Sequence, residues 1–344
     1  MGCSGERSLA YYALMEAKKP TLEDVGRAAG VSRATASRVI TGGRRVSDNT
    51  RHRVWHAVEQ LGYHPDLAAR ALAKGRSDVV DLIVIDDDAT QFGSNPYYTR
   101  VVSGILQALA GSEAQMRVHV VDEPEAPQRL DDVARLVGVG ALLVNVPPDL
   151  AARFHRRCDR VVSLGLSAPG VPSIEAENAE GARAAVEHLY RTGRRRVAAV
   201  HGKANNSCAA GRRHGFLSAT ADAGREAIAA EGGFCLEGGV EATHLLLARH
   251  PDVDAIFAAC DLTAMGVLRV LGETGRRVPE DVALVGFDDS VLASVSTPAM
   301  TSVRQPVEHM AATATRALLA GEAGPTWHRI EPAPLKIRRS SAAA

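Results

Sequence analysis

No stretch of the 344-residue chain approaches the roughly 18 consecutive apolar residues that a membrane span needs. The first residues lack the uninterrupted apolar core of a secretory signal, because Glu6, Arg7, Glu16, Lys18 and Lys19 break it up. Met1-Gly2-Cys3 invites an acylation reading, but Glu6 stands where that pattern wants Ser or Thr. These absences point to the cytoplasm and away from a membrane. The cysteines (Cys3, Cys158, Cys208, Cys235 and Cys260) are odd in number, widely spaced and without a CxxC pair, which argues against a disulfide framework. His155 and Cys158 have helical ligand spacing but lack two further ligands, so no metal is expected. Neither a Gly-x-Gly-x-x-Gly after a strand nor a Walker sequence is present, so a dinucleotide or nucleoside triphosphate would lack its phosphate loop. No cofactor is expected.

Net charge is also absent, with 40 basic and 40 acidic residues, but the balance conceals an asymmetry. Residues 18–77 sum to about +7 and residues 78–344 to about −6. A basic head on an acidic body implies that only the head meets a polyanion.

Four zones follow along the chain. Residues 1–19 show no pattern and read as a disordered leader. Residues 20–62 hold three short helical patterns, and residues 63–77 read as a short helix held between linkers. From Val79 to the end, β-branched runs alternate with helical stretches, as in a parallel α/β fold. Strands are expected at Val79–Ile85, Val118–Val121, Ala141–Val146, Arg160–Leu164, Val197–Val200, Ala255–Ala259 and Val282–Gly286. Two such groups fit two open sheets, each with helices on both faces. The fold class expected is therefore an all-α helix-turn-helix head plus hinge helix, followed by a two-lobed α/β body.

In the head, Thr21 and Asp24 form a capping-box pattern, Gly30 ends the first helix, and Ser32 caps a second running to Ile40. The turn Ala29-Gly30-Val31-Ser32 has the length of a helix-turn-helix. Ser47 caps a third helix ending at Gly62, and Val25, Val31, Val39, Val54, Val58 and Leu61 are the expected core. Arg33, Ala34, Thr35, Ser37 and Arg38 lie where a recognition helix meets base edges, because Arg can bond guanine bidentately and small residues fit a thymine methyl. Lys18, Lys19, Arg44, Arg45, Arg51 and Arg53 are read as phosphate contacts, as are Thr21 and Ser32. The plainer alternative is a generic three-helix bundle with a solvated basic face.

The segment Thr21-Leu22-x-x-Val25…Ala28-x-Gly30-Val31-Ser32-x-x-Thr35-x-Ser37-Arg38-Val39 resembles the head of the lac repressor/galactose repressor family. The likeness continues through Val46-Ser47-x-x-Thr50-Arg51 and Leu61-Gly62-Tyr63-His64-Pro65. The resemblance implies that Arg33 and Ala34 hold the main base-reading positions. It also implies that hinge residues Ala69 and Leu72 act in the minor groove, Leu72 wedging into a base step as two hinges pair. A homodimer on a roughly palindromic double-stranded operator is then implied. No Leu-rich C-terminal heptad suggests a tetramer.

The resemblance extends to Ser340 and implies a periplasmic-binding-protein-like body spanning residues 78–344, with crossovers near 174–178 and 300–306. The matching segments are Asn95-Pro96-Tyr97-Tyr98, Glu177-Asn178-x-x-Gly181-Ala182, Arg212-x-x-Gly215-Phe216, Val285-Gly286-Phe287-Asp288-Asp289 and Thr301–Pro306. By the resemblance, Tyr97, Arg212, Phe234, Cys260 and Asp288 border an effector cleft. An Arg fork facing a carboxylate can fix vicinal hydroxyls, while an aromatic ring covers an apolar sugar face. Left open are an inter-lobe ion pair between Arg212 and Asp288 without ligand contact, and ordinary packing for Phe234. Cys260 replaces the family's usual Asn, which removes one polar anchor, and Gly165 stands where some relatives present a polar side chain.

The function expected is a DNA-binding regulator, and a repressor in particular, controlled by a sugar or related metabolite. The alternatives are a nucleoside-like effector, no effector, or a solute-binding protein, which would need an export signal and no DNA-reading head. An enzyme is not expected, since Asp288 and Asp289 are adjacent at a strand end and cannot flank a substrate as a glycosidase pair does.

Overall fold

The computed structural model describes residues 20–40, 46–63, 78–86 and 89–342. The chain divides near residue 75 into two compact units. The expected leader, the hinge residues Ala69 and Leu72, and the basic residues Lys18, Lys19, Arg44 and Arg45 lie outside the described residues.

The head has α1 (Leu22–Ala28), α2 (Arg33–Ile40) and α3 (Asp48–Leu61). Local hydrogen bonds fix each start. The Thr21 backbone N–H donates to Asp24 Oδ2 (2.9 Å), and the Asp24 N–H donates to Thr21 Oγ1 (3.3 Å), a reciprocal capping box. Ser32 Oγ accepts from the Thr35 N–H and Ser47 Oγ from the Thr50 N–H. Gly62 closes α3 in the left-handed region at φ 59°, where a Cβ would be strained. Val25, Ala29, Ala36, Val39, Val54 and Ala57 form the core, with Val31 and Val58 partly buried against it. Leu61 is 37% exposed and departs from expectation. It is the last residue of α3, beside the Gly62 cap and beyond the turns that bury Val54 and Ala57.

The body consists of two six-stranded sheets. Its first lobe runs β1 (Val79–Ile85), α4 (Ala89–Ser94), α5 (Pro96–Leu109), β2 (Gln115–Val121), α6 (Ala126–Leu136), β3 (Gly140–Val144), α7 (Pro148–His155), β4 (Val161–Leu164) and β5 (Ser173–Ala176). The second runs α8 (Asn178–Arg191), β6 (Val197–His201), α9 (Ser207–Asp222), β7 (Ile228–Glu231), α10 (Leu236–Arg249), β8 (Ala255–Ala258), α11 (Asp261–Glu273), β9 (Ala283–Asp288), α12 (Val291–Val295) and β10 (Thr301–Arg304). The chain then returns through α13 (Val307–Ala320) to β11 (His328–Glu331), and ends at β12 (Leu335–Lys336) in the second sheet.

Strand order is β2-β1-β3-β4-β5-β11 in one sheet and β7-β6-β8-β9-β10-β12 in the other. Every pairing is parallel except that of β10 with β12. Alternation places Val80, Leu82 and Val84 in one core and Ile83 and Ile85 in another, so helices cover both faces. The chain passes between sheets three times, at 176–178, 304–307 and 331–335. Only the first two were anticipated, and Thr301–Arg304 of the second is itself a strand. Five short strands, β5, β7, β10, β11 and β12, were not expected as strands.

Candidate functional site

On α2, Arg33, Ser37, Ala34 and Arg38 fall within one arc of the helix, opposite the buried Ala36 and Val39. Arg33, Ala34 and Arg38 are exposed, while Thr35 and Ser37 are half-buried. The Thr35 hydroxyl lies 2.9 Å from Ser32 Oγ, so both side chains already serve the cap. On α3, Arg53 is exposed and Arg51 half-buried.

In the body a cavity of about 270 Å³ opens between the lobes, near the lower end of the ~300–1,000 Å³ typical of small-molecule sites. Its walls are the carboxyl ends of strands and the helix starts that follow, where open α/β sheets place ligands. Asp86, Asn145 and Ser163 come from the first lobe, and Cys260 and Asp288 from the second, with Phe234 and Cys235 from the turn after β7. All five sequence-predicted effector residues, Tyr97, Arg212, Phe234, Cys260 and Asp288, border this one cavity.

The Arg212 guanidinium is buried and mostly occupied by the protein itself. Its Nε donates to Asn178 Oδ1 (2.9 Å), one Nη to Gln305 Oε1 (2.8 Å), and the other to the Ala259 carbonyl. The Phe287 ring lies 3.7 Å from Cζ, adding a cation–π contact. Asn178 and Gln305 belong to the first and second inter-sheet crossings, so Arg212 ties both connections to the end of β8. Asp288 Oδ1 stands 3.5 Å from Arg212, an ion-pair separation too long for a good hydrogen bond. Both residues lie on the second lobe, which corrects the alternative of an inter-lobe pair.

Asp288 is the most exceptional residue of the site. Its backbone has φ 110° and that of Asp289 has φ 51°, both rare for residues with a Cβ. The buried Oδ1 has no hydrogen-bond partner. Burial pushes its carboxyl above the usual carboxylate range, against the opposing pull of Arg212 and Arg100. Asp261 is raised likewise, by burial and then by the charge of Asp288, while bonds from Ser302 Oγ (2.6 Å) and the Ser290 N–H (2.6 Å) oppose the rise.

The first lobe adds a polar chain that sequence reasoning missed. The Tyr98 hydroxyl donates to Asp86 (2.7 Å) and accepts from Asn145 Nδ2 (2.6 Å). Asn145 Oδ1 in turn accepts from Asn206 Nδ2 (3.1 Å), across to the second lobe. Asn95 Nδ2 reaches the Phe234 carbonyl (3.4 Å), a second bridge over the cleft. Tyr98 lies inside a segment the sequence singled out, but nothing marks Asn145 or Asn206 until the topology brings their loops together. Burial raises the Tyr97 phenol well above its ordinary value, so it stays protonated.

Cys260 caps α11, its Sγ accepting from the Thr263 N–H (3.4 Å), and burial pushes its thiol up to about 12. It is therefore a neutral thiol at pH 7 and unsuited to nucleophilic attack. Gly165, at φ 117°, faces Cys208, and a Cβ there would stand 3.0 Å from Sγ. The lobes approach closely at that point, and the backbone conformation there disfavours any side chain.

A helix-turn-helix head and a two-lobed α/β body with a cavity between its lobes define a class, the transcription regulators. Within it, the chain belongs to the lacI family of bacterial regulatory proteins. The family described as "Bacterial regulatory proteins, lacI family" matches residues 21–66, and the "Periplasmic binding protein-like domain" matches residues 186–341. The HTH-type transcriptional regulator CelR of Thermobifida fusca is 38% identical over 319 residues, covering 90% of this chain and 94% of that protein. The HTH-type transcriptional repressor PurR of Erwinia tasmaniensis is 31% identical, covering 87% and 89%. Among solved structures, a CelR–cellobiose complex matches with TM-score 0.71 and 35% identity, covering 93% of this chain and 99% of that one. The lac repressor dimer bound to operator and the anti-inducer ONPF matches with TM-score 0.84 and 25% identity, covering 95% and 100%.

Proposed function

We propose that this regulator is a dimeric repressor that binds a roughly palindromic operator and is controlled by a saccharide in the inter-lobe cavity. The observation that carries the effector reading is the buried Asp288 carboxylate at the cavity wall, whose Oδ1 makes no hydrogen bond and has only the long 3.5 Å ion-pair contact to Arg212. A buried acceptor without a donor is costly, and a sugar hydroxyl supplies one. Asn95, Asn145 and Ser163 offer further polar contacts, and the Phe234 ring offers an apolar face. The relative solved with cellobiose supports the same ligand class. Arg212 acts less as an open clamp than as a frame, since three of its five N–H groups are already committed.

On DNA, Arg33, Ala34, Thr35, Ser37 and Arg38 read base edges, whereas Thr21, Ser32, Arg51 and Arg53 position the head on phosphates. The second reader is the hinge, where Ala69 and Leu72 open the minor groove when two chains meet. Pairing of bodies is supported by exposed apolar side chains at Leu106 (52%), Val291 (62%) and Val295 (66%), which a partner copy would cover. No step calls for catalysis, and a cytoplasmic location follows from the operator as partner.

Calorimetric titration of the purified chain with a panel of mono- and disaccharides and nucleosides tests the effector. The expected outcome is binding of a saccharide, weakened ten-fold or more by Asp288→Asn. Binding of nucleosides alone, or of nothing in the panel, contradicts the sugar reading.

A further inference from the structure

Arg100 lies on α5 in the first lobe, outside every segment the sequence assigned to a ligand or to DNA, apart from its place two residues after Tyr98. Its guanidinium is more fully engaged than a surface arginine needs. Nε and one Nη donate to the two carboxylate oxygens of Glu308 on α13 (2.7 and 2.8 Å). The same Nη also donates to the Gln305 carbonyl (2.8 Å), and the other Nη donates to the Asp288 carbonyl (2.8 Å). One side chain thus joins two helices of the first lobe to a crossing segment and to the end of β9 in the second.

The Asp288 carbonyl matters because of the backbone that carries it. Residues 288 and 289 both hold positive φ, a conformation that persists only where surrounding bonds over-determine it. Four such bonds are present. The Asp289 N–H donates to Ser302 Oγ (3.0 Å), the Ser290 N–H to Asp261 Oδ2 (2.6 Å), Arg338 Nη to Asp289 Oδ1 (2.6 Å), and Arg100 to the Asp288 carbonyl. Of these four, the Arg100 bond is the one that comes from the other lobe. Gln305 is gripped from both sides, its carbonyl by Arg100 and its amide oxygen by Arg212. Without Arg100 the strand end loses this tie to the first lobe, and the bonds within the second lobe alone hold it.

We infer that Arg100 is a positioning residue for effector recognition: it holds the strained end of β9 so that the Asp288 carboxyl keeps its place at the cavity wall, and it ties the backbone of that residue to α5. The ligand half of this inference rests on the saccharide reading above, whereas the strand-end half does not. The arrangement makes ligand contact at Asp288 mechanically continuous with α5, whose Leu106 is one of the exposed apolar residues proposed to face a partner copy.

The test compares Arg100→Met with Glu308→Gln in the full-length chain. Both disrupt the Arg100–Glu308 charge pair, but only the first frees the Asp288 carbonyl. Hydrogen–deuterium exchange of the peptide covering residues 286–292 needs no ligand. Arg100→Met is expected to speed exchange there ten-fold or more, Arg100→Lys to restore part of the protection, and Glu308→Gln to stay within two-fold of wild type. Equal acceleration in Arg100→Met and Glu308→Gln, or none in Arg100→Met, overturns the inference and leaves Arg100 a packing residue. A parallel titration with cellobiose is expected to show affinity lost ten-fold or more in Arg100→Met alone. If wild type ignores cellobiose, that counts against this sugar as the effector, and the exchange result still decides the role of Arg100.

Discussion

At the scale of single residues, the five cleft positions named from the sequence do border one cavity, but Arg212 differs in what it does there. The motif around Arg212 is legible because its spacing is regular. Its partners Asn178 and Gln305 lie 34 and 93 residues away and become neighbours only through the two crossings. Arg212→Met is expected to leave three buried acceptors without a donor and to lower the stability of the ligand-free body by about 3 kcal/mol. Chemical denaturation checks this, and unchanged stability would return Arg212 to the role of a ligand clamp alone. The acidic pair gives a second prediction. Asp288 and Asp261 are raised in the folded state, so the folded chain keeps protons that the unfolded chain releases above pH ~4. Their contribution to stability is therefore full below that pH and is lost as pH rises towards neutrality. In melting curves taken from pH 4 to 7, Asp288→Asn should become progressively more stable relative to wild type as pH rises. A constant difference across the range would remove the carboxylate from this role.

At the scale of elements, caps and strong strands were readable, and edges were not. The capping box at Thr21 and the cap at Ser47 follow from local spacing alone, as do the continuous apolar runs of β1 and β3. Short strands such as β7 (Ile-Ala-Ala-Glu) and β11 (His-Arg-Ile-Glu) carry little apolar signal because they lie at or near the sheet edge and are partly exposed. Pairing supplied by distant chain, rather than local propensity, makes them strands. Helix contacts were equally hidden. Gly215 looks like part of a ligand motif, yet its demand is steric, since a Cβ there would stand 2.1 Å from the Ala179 carbonyl where α8 crosses α9. Gly215→Ala should destabilise the body by about 1–3 kcal/mol. A melting temperature equal to wild type would mean that these helices can separate without cost.

At the scale of the whole molecule, the charge asymmetry between residues 18–77 and the remainder marks the basic head as the part suited to a polyanion. The likeness to CelR of Thermobifida fusca spans about 90% of the chain, head and body alike. The proposed link between the two parts rests on Ala69 and Leu72, outside the described residues, so it is tested by function. Coupling requires that a ligand bind the two states of the body unequally, and the resulting change in operator affinity equals that difference. The decisive measurement is fluorescence anisotropy of a palindromic duplex selected on the full-length protein, titrated with wild type and Leu72→Ala, with and without a saccharide shown by calorimetry to bind. Wild type should bind tightly and shift its affinity ten-fold or more when the saccharide is added, while Leu72→Ala binds weakly with or without it. Operator affinity that ignores a bound saccharide, with Leu72→Ala indistinguishable from wild type, would contradict control of the head by the cleft.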